Sequence, residues 1–149
     1  MEVSAQKDVL GVLRPFLKKL PADHKFAVEI RNKSWFNAAF ADLLREDRIA
    51  LVLQDSSFMP RPWELKEKFD FITTDFVYVR WLGDRKRIEE QTNIWDKTVV
   101  DRREDLTHWV ELFRQFVARD LKAYAYADNH YAGNGPATVR LFWELYNRK

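Results

Sequence analysis

The sequence contains no cysteine, no long uninterrupted apolar run and no marked excess of charge of either sign. Each absence excludes something. Without cysteine there is no disulfide framework, no thiolate metal ligand and no thiol nucleophile. No segment approaches the roughly 20 apolar residues needed to span a bilayer. The amino-terminal stretch MEVSAQKDVL also lacks the basic and then apolar order of a signal peptide. The expectation is therefore a cytoplasmic protein without a membrane partner. Lysine and arginine number 25 against 23 acidic residues, so the net charge of +2 supplies no general pull toward nucleic acid. A Walker loop, a dinucleotide fingerprint and a nucleophile elbow are missing as well, and so are internal repeats and low-complexity tracts.

What is present is a chain of 149 residues with 46% hydrophobic and 15% aromatic content, enough for one domain with a substantial core. Between Asp8 and Leu20 the apolar residues Val9, Leu10, Val12, Leu13, Phe16, Leu17 and Leu20 share one helical face. Pro15 conflicts with that helix, which is expected to bend there or to begin near Arg14. Phe26–Arg31 alternates as a strand, with Glu29 and Arg31 on one face. Ser34 or Asn37 can cap a following helix carrying Phe36, Ala39, Phe40, Leu43 and Leu44. Ile49–Leu53 is an apolar run of strand length, as expected of a parallel strand buried on both faces, and it ends in Gln54–Asp55.

Ser56–Asp70 reads as a loop with one helical turn around Trp63–Lys68. Phe76–Trp81 is a third strand, with Phe76, Tyr78 and Arg80 on one face and Val77, Val79 and Trp81 on the other. Gly83–Asp101 reads as a long charged connection. Asp105–Ala118 is the strongest helix, its buried stripe formed by Leu106, Trp109, Val110, Phe113, Phe116 and Val117. In Leu121–Pro136 a fourth strand, Ala123–Ala127, runs into Asp128, Asn129 and His130. Gly133 and Gly135 then allow a tight path to Pro136, which opens a last helix. Strands alternate with helices, so the expected class is α/β with a mainly parallel sheet.

Three ordered motifs at strand ends narrow this further. Val28-Glu29-Ile30-Arg31 with Ser34-Trp35, Tyr78-Val79-Arg80 with Gly83, and Asn129-His130-Tyr131-Ala132-Gly133 with Pro136 resemble the YecE-like family, domain of unknown function 72. The resemblance runs from about Leu10 to the end of the chain. It implies a TIM-barrel type of fold, loosely grouped with sugar isomerase-like barrels, but no established activity. A whole (β/α)8 barrel takes about 250 residues, so the four strands counted here imply only its second half, strands five to eight. Such a half leaves two open edges and implies self-association or a missing amino-terminal half. Two departures stand out: Arg80-Trp81-Leu82-Gly83 replaces the family's Arg-Leu-His-Gly, and Asp128-Asn129 replaces its Asn-Asn.

In a parallel barrel the carboxyl ends of the strands form the active face. Glu29, Arg31, Asp55, Arg80 and His130 are accordingly the candidate catalytic residues, with Trp35, Gly83, Asp128, Asn129, Gly133 and Gly135 as candidate substrate-binding residues. A carboxylate, two guanidinium groups and an imidazole can polarise a carbonyl or move a proton between adjacent sugar carbons. The structural alternative is that Glu29 pairs with Arg31 or Arg80 only to neutralise charge. Gly133-Asn134-Gly135, opening a helix, suggests an anion site to which Arg80 or Arg85-Lys86-Arg87 adds charge, although the same glycines serve as ordinary helix-entry punctuation. Glu29, Asp55, Asp128 and His130 have hard-metal chemistry but no ligand spacing, so no metal site is assigned and the cofactor is left unknown.

Trp35, Trp63 and Trp81 are placed to stack on a sugar or base, and Trp109 and Trp143 to pack. Basic residues around Arg61, Arg85 and Arg102 are interrupted by acids, which disfavours nucleic acid. The preferred reading is a small-molecule enzyme acting on a sugar or phosphorylated sugar. A nucleic-acid- or protein-binding module, or a truncated inactive fragment, is the alternative.

Overall fold

The run Ala50–Ser56 (β2) is the most enclosed strand of the protein, all seven residues being buried. The computed structural model describes the backbone of residues 2–148 and the side chains of residues 10–148. Around β2 lie Ala27–Val28 (β1), Phe76–Gly83 (β3) and Lys122–Ala127 (β4). The four strands form one sheet in the order β1-β2-β3-β4, and every neighbouring pair is parallel. Chain order and sheet order coincide, as sequential βα units require. The α/β class with four parallel strands flanked by helices is therefore the observed one.

The helices are α1 (Glu2–Leu17), α2 (Ala38–Glu46), α3 (Pro62–Leu65), α4 (Arg85–Glu89), α5 (Arg103–Ala118), α6 (Asn129–Ala132) and α7 (Gly135–Tyr146). The period-two alternation of the strands divides the sheet into two unlike faces. Leu51, Leu53, Val77, Val79 and Trp81 enter one core with Phe40 and Leu44 of α2, Leu106, Trp109 and Phe113 of α5 and Phe142 of α7. Val52, Tyr78, Arg80, Tyr124 and Tyr126 instead line an open trough on the other side. In register, Tyr78 lies between Val52 and Tyr124, and Arg80 between Gln54 and Tyr126.

Several boundaries differ from expectation, each for an identifiable reason. The first strand shrinks to two residues because the Ile30 carbonyl accepts from the Gln54 side chain, 2.7 Å away, instead of joining a ladder. The second strand runs through Gln54 and Asp55 to Ser56, all buried, with the Gln54 amide donating to the Ile30 carbonyl and the Asp55 carboxylate accepting from Trp109. The first helix continues to Leu17 with Pro15 in its last turn, where an interior proline removes only one late hydrogen bond. Val9, read as part of its apolar face, has a side chain outside the described residues.

Asn37 caps α2 through Phe40 N at 3.2 Å, as the sequence allowed. The charged connection after Gly83 contains α4, capped by Asp84 on Arg87 N and braced by the Arg85–Glu89 pair at 2.8 Å. Five residues are too few to show a helical period, which hid this helix in the sequence. Helix α6 escaped notice for the same reason. No helix among the described residues is long and apolar enough to cross a membrane.

Candidate functional site

Glu29 directly follows β1 and Arg80 lies on β3, strands that are not neighbours, and their side chains meet across β2. Arg80 donates to Glu29 Oε2 at 2.6 Å, and Arg31 donates to Glu29 Oε1 at 2.9 Å. The bridge passes over the strand that carries Gln54, which is in register with Arg80 and fully buried. Charge-assisted bonds of this length hold Arg80 in place, yet its side chain remains 34% exposed while that of Glu29 is 16% exposed. Beside it, Tyr78 and Tyr126 stack with ring centroids 5.1 Å apart at 25°. These groups, with Lys25 and Tyr124, open onto a trough of about 470 Å³. The result is an anchored cation just past the middle of β3 beside a wall of tyrosines.

His130 occupies the first turn of α6, immediately after β4. Asp128 caps that turn by accepting from His130 N at 2.9 Å, and its Oδ1 also faces His130 Nδ1 at 2.8 Å. The other ring nitrogen faces Glu89 Oε1 at 3.1 Å, and Trp95 presents itself edge-on with centroids 4.8 Å apart. A neutral ring donates to one of these carboxylates, whereas an imidazolium donates to both. Burial pushes the Asp128 carboxyl up, but the hydrogen bonds from His130 and the charges of His130 and Arg80 outweigh it, so Asp128 lies below the usual carboxylate range. Glu89 is lowered chiefly by its bond from Arg85, with partial burial opposing and His130 adding to the effect.

Asp55 is not part of this mouth. It points to the helix side of β2 and is 1% exposed. There it accepts from the Tyr131 hydroxyl at 2.7 Å, from Trp109 Nε1 at 3.0 Å and from Arg61 Nε at 3.2 Å. Arg61 also reaches Asp105 at 3.5 Å, and Arg102 joins Asp105 at 3.2 Å to the Tyr131 carbonyl at 2.9 Å. Burial above all, with the Asp55 charge adding, pushes the Tyr131 hydroxyl far above its ordinary value. A carboxylate with every partner supplied from within is a structural tie, here joining β2, α5 and the turn that carries His130.

The glycines likewise answer to packing. Gly83 has φ of 71°, and a Cβ there would lie 2.3 Å from the His130 carbonyl oxygen, so only glycine lets β3 approach the His130 turn. At the glycine pair that opens α7 the amides are already committed. Gly133 N donates to the Asn129 carbonyl at 2.7 Å, Gly135 N to Asn129 Oδ1 at 2.8 Å and Ala137 N to Asn134 Oδ1 at 2.7 Å, while Pro136 has no N–H. Asn129 thus serves the turn itself, and the anion cradle read from Gly133 and Gly135 has no free donors at those positions.

Of the tryptophans, Trp81 is core, edge-on to Trp109 and 5.1 Å from Phe142. It therefore offers no stacking surface. Trp63 stacks on His108 at 4.9 Å and Trp35 is half-buried against the core, whereas Trp143 is exposed rather than packed inside. Sequence reasoning missed Glu89 and Trp95, both in the segment read as a charged loop. It also passed over Tyr78 and Tyr126, although their strand parity with Arg80 and Asp128 was a usable signal. Among the described residues no group of three or more His, Asp or Glu side chains is arranged to hold a metal ion.

Comparison with known proteins agrees with this architecture. The family described as "Protein of unknown function DUF72" matches residues 2–149. A DUF72 family protein from Thermotoga maritima is similar in structure with a TM-score of 0.65 at 23% identity, over 93% of this chain and 52% of that one. Two crystal structures of a DUF72 family protein from Enterococcus faecalis give TM-scores of 0.59 at 16% and 17% identity, over 94% of this chain and 52% and 54% of theirs. The chain thus spans about half the length of these structures. No curated protein sequence matches it.

Proposed function

The chain belongs to the DUF72 family, and from that premise we propose that it is a small-molecule enzyme acting on a sugar or phosphorylated sugar at the carboxyl-end mouth of the sheet. The observation that carries this reading is Arg80. It is a cation fixed by Glu29 at 2.6 Å yet one-third exposed, beside the stacked pair Tyr78 and Tyr126. Arginine in a fixed orientation suits a phosphate or a carbonyl oxygen acquiring charge, and aromatic faces suit the apolar face of a sugar ring.

The geometry supports a division of roles. Both oxygens of Glu29 are engaged by guanidinium groups, so Glu29 is a positioning residue for Arg80. His130 is the proton carrier. Its Nδ1 is held by Asp128, and its Nε2 faces only the half-exposed Glu89, which a substrate can displace. In an isomerisation, Nε2 takes the proton from the hydroxyl-bearing carbon next to the sugar carbonyl and returns it to the former carbonyl carbon, while the proton of that hydroxyl passes to the former carbonyl oxygen, so that one C=O is lost as the other forms. The Arg80 guanidinium meanwhile stabilises the oxyanion formed between the two steps. No cofactor is assigned.

The test is calorimetric titration with triose, pentose and hexose phosphates and their unphosphorylated counterparts. Binding of a phosphorylated sugar that weakens about tenfold or more in Arg80→Ala, as expected for loss of one charge-assisted contact of roughly 1.5–3 kcal/mol, supports the reading. Solvent deuterium incorporation into the bound sugar should vanish in His130→Asn. Absence of binding across the panel, or binding indifferent to Arg80→Ala, overturns it.

A further inference from the structure

Among the described residues the sheet ends in two strands that each have a single neighbour. β4 bonds to β3 alone, and none of its six residues is buried. Beside it lies an apolar groove of about 460 Å³ between β4, α5 and α7, whose walls include Val117, Leu121, Ala125, Val139, Phe142 and Trp143. Val117 is 60% exposed and Trp143 54% exposed. The opposite edge is β1, bonded only to β2 and preceded by α1, where Val12 and Phe16 are also exposed. An unpaired parallel edge flanked by exposed apolar helix faces is an unstable termination for a sheet, because all-parallel sheets are covered on both sides.

Size and topology point to what covers it. Four parallel strands in sequential order make half of an eight-stranded closed sheet. The chain also matches 52% of the Thermotoga maritima relative's length, so two copies supply the length of one such protein.

We propose that the groove and the β4 edge are an interface for a second copy of this chain. The β4 strand of each copy pairs in parallel with β1 of the other, and the head-to-tail contact, made twice about a twofold axis, closes the sheet. A heterologous contact of this kind ends in a closed ring only if its rotation closes, and a four-strand unit of an eight-strand barrel satisfies that condition with two members. Closure also completes the trough, because the two Glu29–Arg80 bridges then face one shared interior. This inference is independent of the ligand reading, since its test reads mass rather than binding.

The experiment is light scattering on the purified chain from micromolar to submillimolar concentration, with circular dichroism on the same samples. The expected result is one species at twice the 17.9 kDa chain mass. Trp143→Glu should return it to a single chain without altering the dichroism. Should Trp143→Glu fail to fold, Val117→Lys on α5 reads the same seam. A folded monomer overturns the proposal and leaves a separate complementary half as the occupant. A ladder of masses above the dimer overturns closure, and a dimer untouched by a folded seam variant overturns the interface.

Discussion

Asp55 and Glu29 are both carboxylates near the carboxyl ends of parallel strands, and the sequence offered them as equals. The fold treats them oppositely. Asp55 faces the helices, is 1% exposed and receives a phenol, an indole and a guanidinium. Glu29 faces the trough and receives two guanidinium groups, both of which remain accessible, Arg31 more so than Arg80. The first closes a network; the second leaves a charge ready for a ligand. One residue of strand parity separates a structural tie from a candidate site.

Removing each residue should break that contrast in a predictable order. Asp55→Ala leaves Tyr131, Trp109 and Arg61 without their buried acceptor, and should cost about 3–5 kcal/mol in urea unfolding. Tyr131→Phe removes one buried hydrogen bond of the same network at 2.7 Å, and should cost about 1–3 kcal/mol. It should leave phosphate-sugar affinity nearly unchanged if the network only supports the turn. Arg80→Ala is expected to show the inverse pattern. The partly exposed ion pair should contribute no more than about 1 kcal/mol to stability, while ligand affinity falls tenfold or more.

The smallest effect is on acid stability. Asp128 is lowered in the folded state, so its contribution is present above its ordinary, unfolded value and is lost as pH falls through the lowered one. Asp128→Asn should flatten the unfolding profile in that acid window only. A difference between the two proteins that persists unchanged at the lowest pH would contradict this assignment.

Parity explains much of what was legible beforehand. Phe76, Tyr78 and Arg80 could be placed on one face from alternation alone, and the helix carrying Leu106, Trp109 and Phe113 from its period. The four-strand parallel architecture followed from the alternation of elements. Asp55 is misplaced by a reading in which Gln54 and Asp55 end the strand. In fact the strand continues, and the next side chain turns to the helix side, where partners from positions 109 and 131 are invisible to local reading. Glu89 and Trp95 reach His130 from a segment whose short helix has no period to detect. The glycines that open α7 resembled an anion cradle because composition does not reveal which amides are already bonded.

The central claim, that an anion belongs to the Arg80 trough and not to the glycine turn, is tested most directly by nuclear magnetic resonance during titration with a sugar phosphate. The account predicts progressive shifts at the Arg80 side-chain Nε–H and at Tyr78 and Tyr126, with the Gly133, Gly135 and Ala137 amides unmoved. Shifts confined to those three amides, with Arg80 silent, would contradict it.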